Sequence, residues 1–192
     1  MEKSTSEIFN INLSNTRAKK LASSPTGIRI ELIEFLGENE YKDVIEISQA
    51  LTDKYGEKAK FNKKTIKKYF NYPRTFPFVL RYKGKIKGFI IGVPLENFSK
   101  ESWAQCDINL QKGNTIYTYA YIVSKDLHGL GYAKILKRVY QSTIKKKGFK
   151  YISGHVRKGI TKNFTKNVEI IKEFKNWKNT GFVFEYYRAK LQ

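Results

Sequence analysis

The stretch DLHGLGYAKIL, residues 126–136, sets two glycines one residue apart between a dense apolar run and a helical pattern. The run before it, TIYTYAYIV at 115–123, is β-branched and aromatic and reads as a strand. After it, Ile135, Leu136, Val139, Tyr140 and Ile144 recur at helical spacing from Tyr132, in a helix ending near Gly148. A strand, a glycine turn and a helix N-terminus together aim unpaired backbone N–H groups at one point, where the helix dipole favours negative charge. Phosphate is the natural guest of such a device.

Two familiar phosphate-binding devices do not fit. A P-loop ends in Gly-Lys-Ser/Thr, whereas Gly131 is followed by Tyr132, Ala133 and Lys134. A dinucleotide fingerprint wants a third small residue where Lys134 stands and an acidic residue about 20 positions on, where the chain offers Lys147 and Lys150.

Outward from this centre, IRIELIEF (28–35) alternates apolar and polar positions and reads as a first strand. ENEYKDVIEISQALTDKYG reads as a helix with Val44, Ile47, Leu51 and Tyr55 on one face and Gly56 as its stop. NKKTIKKYFNYP is a second helix, capped by Asn62 and terminated by Pro73. PFVLRYKGKIKGFIIGVPL shifts to period two around Lys83 and Gly84, the pattern of a hairpin. Residues 96–114 form a connection with a short strand around WAQCDINL. KYISGHV is a buried strand, TKNVEIIKEFKNWKNTG a helix with Ile170, Ile171, Phe174 and Trp177 on one face, and FVFEYYRAKL a closing strand. Residues 1–27 form a polar extension with one short helix, and 28–192 a single domain. The fold class is α/β of the mixed α+β kind.

Composition narrows the chemistry. The chain has 192 residues, 41% hydrophobic and 15% aromatic, and no apolar run of the roughly 18 residues that span a bilayer. A soluble cytoplasmic protein with no membrane partner is expected. One cysteine, Cys106, and two histidines, His128 and His155, leave no thiolate and imidazole cluster, so no metal is expected. The net charge is +20, and residues 1–50, with eight acidic side chains against six basic ones, carry none of the excess. Such a surface suits nucleic acid, ribosomes, acidic proteins or phosphorylated molecules. The preponderance of Lys over Arg, with abundant Asn, Ile, Tyr and Phe, equally fits a compositional bias.

Taken together, Val123 at the strand end, HGLGYA at 128–133, the hairpin YKGKIKGFIIG, ISGHV and WKNTGF resemble, in order over 28–190, the GNAT superfamily of acyl-CoA-dependent N-acetyltransferases. The resemblance implies a central mixed, mostly antiparallel sheet with helices on both faces. It implies acetyl-CoA as co-substrate, its pyrophosphate on His128, Gly129, Leu130, Gly131, Tyr132, Ala133 and Lys134. The pantetheine arm would add like a strand to backbone groups of Tyr121, Ile122 and Val123, and the Tyr121 N–H would stabilise the oxyanion. Lys134, Lys137 and Arg138 would meet a nucleotide phosphate or form a solvated helix face.

The chain departs from the family at three places. Tyr117 stands where many members have a Glu base, Trp177 where the usual Tyr acid stands, and His128 at the motif's Gln/Arg position. His155 matches the fifth-strand base of members that acetylate protein N-termini, and is either a base of near-neutral pKa or a core histidine bonded to a carbonyl. Tyr186 and Tyr187 resemble paired acceptor-site tyrosines, Asp107 is an alternative base, and Cys106 a packed thiol. The implied acceptor is an amine: a small polyamine, to which Glu38, Glu40, Asp43 and Glu46 would be suited, or a basic peptide or protein. The alternatives are a catalytically weak CoA-binding relative and a basic nucleic-acid-binding protein.

Overall fold

The computed structural model describes residues 15–164 and 167–192. Eight strands form one sheet: β1 (Arg17–Ser23), β2 (Ile28–Phe35), β3 (Phe76–Tyr82), β4 (Lys85–Pro94), β5 (Thr115–Val123), β6 (Tyr151–Arg157), β7 (Val168–Phe174) and β8 (Phe184–Lys190). Their spatial order is β1-β2-β3-β4-β5-β6-β8-β7. Among the described strands every pair is antiparallel except β5 with β6, whose crossover is the helix α4 (Tyr132–Lys146).

Helices cover both faces. On one, α4 packs Leu136, Tyr140 and Ile144 against Ile30, Phe78, Leu80, Ile90 and Ile116. Of the apolar positions read for this helix, Ile135 faces solvent. On the other face, α1 (Tyr41–Ser48), the 3-10 turn Gln49–Leu51 that leads into α2 (Thr52–Tyr55), and α3 (Lys63–Phe70) bury Val44, Leu51, Ile66 and Phe70 against Val79, Phe89 and Ile91. The single helix expected over ENEYKDVIEISQALTDKYG is broken into α1, 3-10 turns and α2, ending at Gly56 with φ +79°. Asn62 caps α3 reciprocally: its side chain accepts from the Thr65 N–H at 3.0 Å, and its own N–H donates to Thr65 Oγ1 at 2.7 Å. The β3–β4 turn has positive φ at both Lys83 and Gly84, as a two-residue hairpin requires.

Three expected elements differ. Within the polar extension, Arg17–Ser23 is an edge strand paired with β2, and Thr16 donates to Glu40 at 2.5 Å and accepts from the Gly37 N–H at 2.9 Å. Residues 1–14 lie outside the described residues. The strand expected around WAQCDINL is a 3-10 turn, Ala104–Cys106. The helix expected from TKNVEIIKEFKNWKNTG is β7 followed by a loop; Thr165 and Lys166, at its expected start, lie outside the described residues. Ile171 has no partner opposite it, because Ile170 faces Tyr187 and Lys172 faces Tyr186. That bulge puts two isoleucines side by side and lets Ile171, Phe174 and Trp177 reach one cluster.

Candidate active site

The site begins where two parallel strands part. β5 and β6 pair only over Thr115–Tyr117 and Tyr151–Ser153, although β5 continues to Val123 and β6 to Arg157. The outer half of β5 therefore has one paired edge, toward β4, and one edge left unpaired by β6. The Ser124 N–H donates to Lys87 O at 2.8 Å, so by the alternation of a strand Ile122 also turns its backbone groups toward β4. Tyr121 and Val123 turn theirs to the cleft. Of the three residues expected to bond a pantetheine arm, Ile122 thus has its backbone on the other edge and its side chain in the core. Tyr119 sits unopposed at a bulge, since Ile91 faces Ala120 and Gly92 faces Thr118.

The glycine turn closes the outer end of this cleft. Gly129 and Gly131 have φ of +78° and +77°, and Gly131 is the N-cap of α4. A Cβ built on either meets none of the described residues within 4 Å, so backbone conformation, rather than close packing against them, is what asks for glycine. Among the described residues no side chain caps α4, and its first turn holds no acidic residue. The N–H groups of Tyr132, Ala133 and Lys134 are left as helix-end donors to an anion. His128 ties the turn to the strand by donating from Nε2 to the Val123 carbonyl at 3.1 Å, and Leu130 and Lys134 face solvent. The Tyr121 hydroxyl donates to the Ala133 carbonyl at 2.6 Å; burial pushes its pKa up to about 12, so this donor stays protonated.

The inner end lies on the opposite sheet face. Tyr117 and His155 are both buried, and the Tyr117 hydroxyl lies 3.0 Å from His155 Nδ1. The imidazole stacks on Trp177 with ring centroids 3.8 Å apart and planes 14° apart, and has Trp103, Phe174 and Tyr186 rings around it. Desolvation, with a smaller contribution from Lys178, lowers its pKa from 6.5 to about 3, and its Nε2 has no hydrogen-bond partner among the described residues. His155 is therefore a neutral ring bonded to a phenol, rather than a near-neutral base or a ring held by a carbonyl. Burial pushes Tyr117 well above its ordinary value.

Other expected side chains are placed by their partners. The buried Asp107 carboxylate accepts from Tyr186 Oη at 2.7 Å, from Arg188 and from the Asn109 N–H at 2.9 Å, so it is occupied as a structural acceptor. Tyr186 and Tyr187 point to opposite faces as neighbours on a strand must, Tyr187 packing on Gly154 and Phe164. Cys106 donates from Sγ to the Trp103 carbonyl at 2.8 Å, and burial raises its pKa. Trp177 lies in the β7–β8 loop, so its expected correspondence with an acid at a helix end does not hold. Lys137 lies over the Phe164 ring at 4.6 Å, half-buried, while Lys134 and Arg138 are exposed. No group of three or more His, Cys, Asp or Glu among the described residues is arranged to hold a metal ion.

Residues 96–114, to which the sequence assigned no role, supply Asn97, Phe98, Glu101 and Trp103 to a cavity of about 640 Å³ that Tyr117, Tyr119 and Trp177 also line. The acidic residues of the first helical segment lie elsewhere. Glu40 pairs with Arg81, while Asp43 and Glu46 line a separate cavity of about 420 Å³ with Lys85 and Lys87.

Comparison with known proteins places this geometry. Residues 42–162 match the model of the acetyltransferase (GNAT) family. No curated protein sequence matches the chain. Among solved structures, the ribosomal-protein-S18-alanine N-acetyltransferase from Escherichia coli superposes with a TM-score of 0.62 at 14% identity, covering 86% of this chain and 94% of that one. A GCN5-related N-acetyltransferase from Kribbella flavida gives 0.63 at 10% identity, over 88% of this chain and 100% of that one. A GNAT-family acetyltransferase from Elizabethkingia anophelis with acetyl-CoA bound gives 0.56 at 14% identity, over 86% and 99%. At such identities the likeness is one of fold.

Proposed function

The chain belongs to the GNAT family of acetyltransferases, and from that premise we propose that it transfers the acetyl group of acetyl-CoA to a primary amine by direct attack in a ternary complex. The observation that carries this reading is the parting of β5 from β6 beside an uncapped helix N-terminus. An amide-bearing arm adds to the Tyr121 and Val123 edge as a strand would. The N–H groups from Gly129 to Lys134 take the pyrophosphate, and the open space above both glycines leaves room for it.

The chemistry then falls at the inner end of the cleft. The amine nitrogen bonds the acetyl carbon, a backbone N–H on the unpaired edge of β5 receives the developing oxyanion, and the carbon–sulfur bond breaks to release the thiolate. The ammonium proton formed on attack balances the charge of the departing sulfur. Tyr117, a neutral phenol held by His155, stands at the cavity wall to pass it on; His155 acts as a positioning residue. The amine is seated as an ammonium and loses its proton to solvent before attack, since no carboxylate stands on β5.

The test is incubation of the chain with acetyl-CoA and pooled amines and peptides, followed by mass shift and free thiol. Acetylated product with equimolar CoA is expected. Tight CoA binding with no transfer to any amine would overturn the proposal and leave a CoA-binding protein.

A further inference from the structure

We propose that the aromatic cavity beside β5 is the acceptor site, and that it selects an amine carrying a carboxylate on an aromatic or apolar body while rejecting polyamines. This rests on the acetyl transfer proposed above.

Position is the first argument. Tyr117 is the last β5 residue paired with β6, and Tyr119 is the bulge just beyond, so a cavity lined by both opens at the inner end of the cleft. Shape is the second. Tyr69 and Tyr119 stack with centroids 3.8 Å apart, and Phe98 packs on Trp103 at 5.2 Å, which gives the cavity aromatic walls.

Charge decides the class of guest. Two of the rings that could attract a foreign ammonium already carry one of the protein's own: Lys68 Nζ is 5.2 Å from the Tyr69 centroid and Lys178 Nζ 5.5 Å from that of Trp177. With Arg74 these make three cations at the cavity against one carboxylate, Glu101. A polyamine finds one partner and three repulsions. A single ammonium beside Glu101 with a carboxylate toward the cations pairs Glu101 and meets part of the positive excess, and an aromatic body fills the space along the ring-lined wall. The carboxylates expected to attract a polyamine belong to other environments, Glu40 with Arg81 and Asp43 and Glu46 in the separate cavity.

The chain has two tryptophans, and both line this cavity, so occupancy is readable by fluorescence without turnover. The full chain, saturated with CoA, is titrated with L-phenylalanine, phenethylamine and spermidine. Phenylalanine is expected to shift the emission with a Kd at least about fivefold below that of phenethylamine, and spermidine to leave it unchanged. The exposed pair Lys68→Glu and Lys178→Glu is expected to reverse the first preference. Equal binding of phenylalanine and phenethylamine, tighter binding of spermidine, or a preference unmoved by the double variant would overturn the selectivity and leave acetyl transfer to some other amine standing. Phenylalanine that binds as expected but is never acetylated by acetyl-CoA in the same sample would support the selectivity and count against transfer.

Discussion

Under the indole of Trp177, His155 keeps one hydrogen bond among the described residues, to Tyr117, and has no such partner for Nε2. Protonating it in the folded state would bury an uncompensated charge, which is why desolvation lowers its pKa from 6.5 to about 3. Between those values the unfolded chain binds a proton that the folded one refuses. Stability from this residue is therefore full above pH 6.5 and lost as pH falls toward 3, by about 1.4 kcal/mol per unit. His155→Gln keeps a partner for Tyr117 without a titrating ring. Denaturant unfolding of both proteins from pH 7 to 4.5 is expected to show wild type losing stability faster than the variant, with the difference growing below pH 6.5. A constant difference would mean that the buried ring titrates normally. The residue type and its strand were legible in GHV; its protonation was not, because the rings around it come from segments far apart in sequence.

At the scale of elements, the glycine turn separates folding from binding. Gly131 needs a left-handed backbone but packs against nothing, so Gly131→Ala costs strain of about 1 kcal/mol, roughly 2–4 °C in Tm for a chain of this size. The added methyl stands where the pyrophosphate would approach the helix N–H groups. KM for acetyl-CoA is expected to rise more than about tenfold while KM for the amine stays in place; equal changes in both would remove the turn from cofactor recognition. This turn, α4 and the β3–β4 hairpin were legible because glycines, a two-residue turn and an unbroken 3.6 or 2.0 period mark them locally. Two strands were not. In β7 a bulge at Ile171 breaks period two and imitates a helical face. In β1, RAKKLAS lies exposed at the sheet edge, with no face buried deeply enough to impose alternation and with the charge typical of guarded edges.

Across the whole molecule, the +20 charge is not spread as free cations. Arg81 and Arg188 are buried in ion pairs with Glu31, Glu40, Asp107 and Glu169, and Lys87 and Lys158 pair with Asp126 and Glu173. These pairs occupy several of the 17 acidic groups, so the excess is displayed by exposed lysines, among them Lys125 and Lys134 beside the glycine turn. A polyanionic co-substrate approaching that turn is drawn by a field that salt collapses, from a screening length of about 10 Å at 0.1 M to about 3 Å at 1 M. An acceptor with one ammonium and one carboxylate has no net charge and gains little from the same field. Raising sodium chloride from about 0.05 to 0.5 M is thus expected to raise KM for acetyl-CoA several-fold with little change in the acceptor's KM. The composition showed the charge but not its direction, which depends on which cations the fold pairs internally. A salt-independent KM for acetyl-CoA would show that the exposed lysines serve solubility alone, and that the helix N-terminus binds its phosphates through short-range hydrogen bonds with no help from the surface.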